Sequence, residues 1–174
     1  FSIRADGTDR QQVTNINARQ VAAARMGREH GCTVILNPAP AADVPAHLIP
    51  LVDIVTPNET EAEGITGVSG EEACARALLD RGVTTVIVTR GADGVRVATS
   101  DGMEEHATFP VDAVDATAAG DAFNGALAAR LAAGDSIDEA LPWALATGAL
   151  TVTKLGAQPS LPTKDEVAKL VASR

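Results

Sequence analysis

The segment from Val114 to Leu127, VDATAAGDAFNGAL, holds the residues of this sequence best suited to chemistry. Small residues precede a carboxylate at Asp121, and apolar residues then recur at helical spacing. This pattern predicts a tight turn opening a helix, whose first backbone N–H groups lack partners and attract phosphate. The carboxylate would lie within reach of a hydroxyl brought to that phosphate, the arrangement that phosphoryl transfer needs. The same pattern also fits an alternative in which Asp121 only caps a helix and Gly120 only turns the chain.

Composition limits the classes of protein to consider. The 174 residues suffice for one domain with a core, and 45% are apolar but only 2% aromatic, which favours helices laid closely on a sheet. A net charge of −9 would repel nucleic acid and anionic membranes, so we expect a small molecule as partner and neither of those. Cys32 and Cys74 lack the spacing of a zinc site or a disulfide framework, which suits reduced thiols in the cytoplasm. No apolar run approaches 18 residues and no basic-then-apolar segment opens the sequence, so we expect neither a spanning helix nor a signal peptide.

The order of predicted elements indicates an α/β fold. Residues 1–15 show little pattern and form a poorly determined lead-in, whereas 16–174 alternate helices and strands. We expect strands near 33–36, 53–56, 84–89, 95–99 and 104–109. We expect helices near 15–31, 59–65, 69–81, 119–133, 136–152 and from 163, with a further short helix ending near Leu51. Buried, mostly parallel strands flanked by helices place ligands at the carboxyl ends of the strands.

Two further segments follow predicted strands. Asn58 and Glu61 offer oxygen atoms that could organise a hydrated Mg²⁺, although the same residues could simply cap a helix. The segment Thr89–Gly94 carries two glycines that let the backbone approach a phosphorylated or flat ligand, although a plain hairpin turn explains it equally well. No Walker P-loop, GxGxxG or HExxH motif is present in the sequence.

Five motifs, in order and spacing, resemble the ribokinases among the PfkB-type carbohydrate kinases. They are NPAPA at 37–41, DIVTPNETEAEGITG at 53–67, VIVTRGADGV at 86–95, VDATAAGDAFNGAL at 114–127 and GAQPSLP at 156–162. The resemblance covers about residues 30–174. It implies a ribokinase-like layered fold and an ATP-dependent sugar kinase that phosphorylates the 5-hydroxyl of D-ribose.

The resemblance also assigns roles by position. Asp121 resembles the catalytic base that contacts the sugar, and the amides of Ala118, Ala119 and Gly120 resemble the anion hole. Glu61 resembles an indirect Mg²⁺ ligand. The residues implied in ATP binding are Asn58, Thr89, Arg90, Gly91, Ala92, Asp93, Gly94 and Gly120. Those implied in a K⁺ site, largely through carbonyl oxygens, are Asp115, Thr117, Thr151, Lys154, Gly156 and Ser160.

Family members are longer than this chain, and their amino-terminal half supplies most sugar contacts and a β lid. The resemblance therefore implies that residues 16–174 are the carboxy-terminal, ATP-binding and catalytic part of a ribokinase-like domain, a partial fold without that half and lid. It also implies a cytoplasmic homodimer for the complete protein. Two alternatives stay open. One is a truncated, inactive nucleotide-binding fragment, and the other is a related kinase for another sugar or a nucleoside.

Overall fold

The computed structural model describes residues 16–41 and 44–174, so the predicted lead-in at 1–15 lies outside the described residues. The chain divides into two compact units. The first comprises the described residues up to Thr89 together with Val97–Glu104. The second comprises Arg90–Arg96 and Glu105–Arg174.

Five strands of the described chain form one sheet in sequential order. They are β1 (Ile35–Leu36), β2 (Ile54–Val55), β3 (Thr85–Thr89), β4 (Val95–Thr99) and β5 (Gly102–His106). The first three are parallel, with Ile35 opposite Ile54 and Ile54 opposite Thr85. The links before β4 and β5 are too short for parallel crossovers, which makes the sheet mixed. The α/β class is therefore confirmed, with the parallel arrangement confined to β1–β3.

The helices of the first unit are α1 (Ile16–Glu29), α2 (Glu59–Thr66) and α3 (Glu71–Leu79). The centre of β3 is fully buried at Val86, Ile87 and Val88, as its unbroken apolar run predicts. The short helix expected to end near Leu51 is a 3₁₀ helix, Ala46–Leu51.

The helices of the second unit are α4 (Ala119–Ala132), α5 (Ile137–Thr151) and α6 (Lys164–Val171). Helix α4 packs against α5, with Phe123 next to Gly148, and Phe123 and Leu127 are buried. The two helices come close at Gly148, where an added Cβ would lie 3.5 Å from the carbonyl oxygen of Ala119. The beginning of α4 thus lies against the last turn of α5.

Most predicted helix boundaries are confirmed within one or two residues. Ser136 and Thr163 cap α5 and α6, and Gly67 ends α2 in the left-handed conformation. The start of α3 also falls where it was expected, with Gly70 at the N-cap making no side-chain bond and with Glu71 and Glu72 in the first turn. No helix of the described residues is long and apolar enough to cross a bilayer.

Candidate active site

The first turn of α4 has an unusual backbone. Ala118, at the N-cap, has φ 63° and ψ 8°, and it is the one non-glycine residue of the described chain with positive φ. A left-handed alanine costs about 1–2 kcal/mol. Such strain concentrates at functional sites, and a residue of this conformation beside helical ones gathers successive N–H groups into an anion-binding hollow.

The N–H groups of this turn are only partly paired. Ala119 donates to the carbonyl oxygen of Ala116 at 3.2 Å, and Ala122 donates to that of Ala118 at 2.9 Å. Within the described part of the chain, the N–H groups of Ala118, Gly120 and Asp121 have no hydrogen-bond partner. Of the three amides expected to form an anion hole, that of Ala119 already has a backbone acceptor, while the Asp121 N–H, which the sequence pattern did not single out, has none among the described residues.

Gly120 leaves open space over this turn. A Cβ built on it would meet no atom within 4 Å, and its φ is not positive. Glycine inside a helix costs about 1 kcal/mol of stability relative to alanine. Since alanine would fit here without a clash, no described neighbour requires the glycine. An outside group that approaches the backbone closely would explain it.

The Asp121 side chain is exposed and faces a cavity of about 720 Å³. Within the described residues its carboxylate has no hydrogen bond or ion pair. The other residues that line this cavity are mostly small or apolar. Among them, Arg130 stacks over Trp143, with its Cζ atom 4.5 Å from the ring centroid. The other residues lining it are Ala118, Ala122, Gly125, Ala126, Ala129, Ala133, Thr147, Ala157, Gln158, Leu161, Pro162, Lys164 and Val167. An accessible carboxylate next to unpaired amides can accept a proton from a bound alcohol.

Asp115 joins two loops of the second unit. Its Oδ1 accepts the Thr117 N–H at 2.9 Å, and its Oδ2 accepts the Gly156 N–H at 2.8 Å. The side-chain hydrogen bond with Thr117 is the main cause that lowers the pKa of Asp115, followed by the Gly156 N–H. Backbone bonds from Val114 and Asp115 to the Val152 carbonyl, at 2.7 and 3.1 Å, hold the same crossing.

Three other residues of the expected cation site lie in this region in different environments. Thr151 and Ser160 are fully buried, and their hydroxyls donate to the carbonyl oxygens of Thr147 and Ala157 at 2.8 and 2.6 Å. The Lys154 ammonium pairs with Glu166 at 3.3 Å. An ammonium has no lone pair, so Lys154 could serve a cation only through its carbonyl oxygen.

In the first unit, Asn58 and Glu61 form a reciprocal capping box at the start of α2. Asn58 Oδ1 accepts the Glu61 N–H at 2.8 Å, and Glu61 Oε2 accepts the Asn58 N–H at 2.9 Å. Asn58 also pairs with Thr89 in an isolated parallel bridge. The helix-capping alternative is therefore present, and it fixes the direction of the Glu61 carboxylate.

The expected nucleotide loop continues into the second unit as a 3₁₀ turn, Gly91–Asp93. Ala92 and Asp93 are exposed in it. Gly94 is required by packing, since an added Cβ would lie 2.1 Å from the carbonyl oxygen of His106. The turn also contacts Glu105 through Arg90, a residue pair that the sequence reading did not connect.

Comparison with known proteins assigns the family. Residues 14–164 match the family described as pfkB family carbohydrate kinase. The chain belongs to this family of carbohydrate kinases.

The names of the similar curated proteins specify kinases of different sugars. The chain is 44% identical over 149 residues to the ribokinase of Haemophilus influenzae, covering 83% of this chain and 49% of that protein. It is 36% identical over 150 residues to the deoxyribokinase of Salmonella typhi, with 83% and 49% covered. The chain thus spans about half the length of the curated relatives it matches.

Solved structures agree with the fold. The ribokinase of Arabidopsis thaliana complexed with ribose and ATP matches with a TM-score of 0.82 and 31% identity, covering 88% of this chain and 52% of that one. A neighbour from Escherichia coli is in complex with ATP and Mg²⁺ (TM-score 0.78, 28% identity, 87% and 52% covered). A Vibrio cholerae fructokinase holds fructose, ADP and potassium ion (TM-score 0.78, 28% identity, 88% and 55% covered).

Proposed function

We propose that this chain is the carboxy-terminal, ATP-binding and catalytic part of a ribokinase. The complete enzyme would transfer the γ-phosphate of ATP to the 5-hydroxyl of D-ribose and give D-ribose 5-phosphate. The observation that carries the proposal is the start of α4, where unpaired N–H groups precede an accessible carboxylate on a strained turn. The resemblance to ribokinases of known name supports the choice of sugar.

The proposed phosphoryl transfer forms one bond, breaks another and moves one proton. The sugar hydroxyl oxygen attacks the γ-phosphorus, the bond from that phosphorus to the bridging oxygen of ADP breaks, and the hydroxyl proton passes to Asp121. The N–H groups of Ala118, Gly120 and Asp121 stabilise the negative charge on the transferring phosphoryl group. Losing one such donor typically costs a hundredfold or more in rate, roughly 3–4 kcal/mol.

Two cations belong to the proposal. Asn58 and Glu61 would serve Mg²⁺ bound to the ATP phosphates, and their oxygen atoms match the preference of that ion. For K⁺, the proposed residues are Asp115, Thr117, Thr151, Lys154, Gly156 and Ser160. The buried hydroxyls of Thr151 and Ser160 keep lone pairs after donating, which suits a hard cation. When bound, the cations would supply positive charge that stabilises phosphates and the loop before α4.

A second candidate function is a catalytically silent nucleotide-binding fragment. The observation that favours it is the length of the chain, about half that of its relatives. A coupled ADP-release assay with ATP, Mg²⁺, K⁺ and ribose, run together with calorimetric titration of Mg·ATP, separates the two. Turnover supports the kinase, saturable binding without turnover supports the fragment, and neither binding nor turnover contradicts both.

The choice of sugar has its own test, because a deoxyribokinase and a fructokinase are also similar to this chain. The assay is repeated with 2-deoxyribose, fructose and a nucleoside. We expect ribose to give the highest kcat/KM, and a higher value for another acceptor would replace ribose in the proposal. We also propose a homodimer for the complete protein and a cytoplasmic location, both from the family resemblance.

A further inference from the structure

The turn formed by residues 90–94 is held by a side chain that lies outside it. Glu105 Oε1 accepts from Arg90 Nη1 at 3.2 Å and from Arg96 Nη2 at 2.5 Å. The arginine side chains are only 15% and 24% exposed, whereas that of Glu105 is 57% exposed. One carboxylate of β5 thus fixes two arginines that flank the turn.

Arg90 also closes the turn on itself. Its Nη2 donates to the carbonyl oxygen of Asp93 at 3.5 Å, and its backbone N–H donates to that of Gly94 at 2.8 Å. Both terminal nitrogens of the guanidinium therefore face partners that belong to the turn or to β5. This arrangement differs from that of an arginine held ready for a phosphate.

The other end of the turn is fixed by backbone contact. The space that a Gly94 Cβ would occupy is filled by the carbonyl oxygen of His106 at 2.1 Å and the nitrogen of Thr108 at 2.8 Å. His106 follows Glu105 directly, so one short stretch of chain supports both ends of the turn. The hydrogen bonds from Arg96 and then Arg90 also lower the pKa of Glu105, which keeps this carboxylate charged at neutral pH.

We propose that Arg90 and Glu105 are positioning residues that hold the 90–94 turn in the shape that binds ATP, and that the Arg90 guanidinium contacts no phosphate. This inference rests on the proposed function, since it takes the turn to border ATP. It changes the role of Arg90 from a ligand contact to a support that acts through Glu105.

A double-mutant cycle on the 174-residue chain tests the proposal. Dissociation constants for Mg·ATP are measured by calorimetry for Arg90→Gln, Glu105→Gln and the double variant. We expect each single change to weaken binding by about three- to fivefold, the range for partly exposed ion pairs. The double variant should lose no more than either single one, because both changes remove the same support. Glu72→Gln removes another exposed carboxylate that is paired with an arginine, Arg76, and it is the matched control, which should leave binding within about twofold.

A direct phosphate contact predicts a different pattern. Arg90→Gln would then weaken binding far more than Glu105→Gln, and that result overturns the proposal. Hydrogen exchange of the amides at 91–94 provides a readout independent of ATP. Exchange should be faster in both single variants and unchanged in Glu72→Gln. If the unmodified chain fails to bind Mg·ATP, the proposed function fails, while unchanged exchange in Glu105→Gln contradicts the positioning role itself.

Discussion

Helices α4 and α5 begin in opposite ways. At α5, Ser136 and Glu139 satisfy each other's backbone N–H groups in a complete capping box, and Thr163 and Glu166 do the same at α6. At α4, the N-cap is a left-handed alanine without a side-chain bond, and three N–H groups have no partner among residues 16–41 and 44–174. A capped start stabilises the fold, whereas an uncapped and strained start reduces stability and keeps donors available for a ligand.

The strongest test of this contrast replaces the carboxylate of α4. Asp121→Asn removes the proposed base, so kcat should fall at least about a hundredfold while the affinity for Mg·ATP stays within about twofold. Turnover is measured by coupled ADP release with ribose. Asp138→Asn, an exposed carboxylate in the first turn of α5, is the control and should keep full activity. A kcat of Asp121→Asn within tenfold of that of the unmodified chain would show that Asp121 is not the catalytic base.

Gly120→Ala should separate stability from activity. The added methyl group meets no described atom, and alanine has a higher helix propensity than glycine. The free energy of unfolding should therefore rise by up to about 1 kcal/mol. The same methyl group would obstruct a phosphate, and turnover should fall about tenfold or more. Thermal denaturation and the ADP-release assay measure the two effects. A variant that is both more stable and fully active would show that nothing approaches this backbone.

Removing a cap should have the opposite result. Ser136→Ala deletes the hydroxyl that accepts the Glu139 N–H, so stability should fall by about 1 kcal/mol and Tm by roughly 2–4 °C. Mg·ATP affinity should not change. Ser136→Thr keeps the hydroxyl and should recover most of the loss. Altered ATP binding in Ser136→Ala would contradict the claim that the start of α5 only stabilises the fold, in contrast to the ligand-binding start of α4.

The smallest effect concerns pH. Hydrogen bonds from the Thr163 backbone and hydroxyl, with Lys154 adding to them, lower the pKa of Glu166 from 4.5 to about 2. The folded state binds this proton less readily than the unfolded state, so the stabilisation is complete above about pH 4.5 and is lost as the pH falls toward 2. Tm measured over this range should fall less steeply in Glu166→Gln. An identical slope would mean that this cap contributes nothing to acid stability.

The sequence predicts the local features well. The starts of α5 and α6 follow from serine or threonine three residues before glutamate, and the β4–β5 hairpin follows from Asp101 and Gly102. The N-cap of α3 is a glycine without a side-chain bond, yet the helix still begins within the expected segment because Glu71 and Glu72 occupy its first turn. These features depend on neighbours within a few residues, which the sequence displays.

The site depends on information that the sequence does not display. Alanine carries no signal for a left-handed conformation, and the Ala119–Ala116 hydrogen bond that removes one expected donor follows from that turn. The Asp115–Gly156 contact joins residues 41 positions apart, and the Arg90–Glu105 contact joins residues 15 apart. Contacts of this range are set by tertiary packing, so composition and spacing could suggest the residues but not their pairing.

The most direct measurement of the central claim follows the backbone amides by NMR while the chain is titrated with Mg²⁺ and a non-hydrolysable ATP analogue. The account predicts large shifts for the N–H groups of Ala118, Gly120 and Asp121 and none for those of the capped start of α5. Shifts absent from the start of α4, or equal at both helix starts, would contradict it.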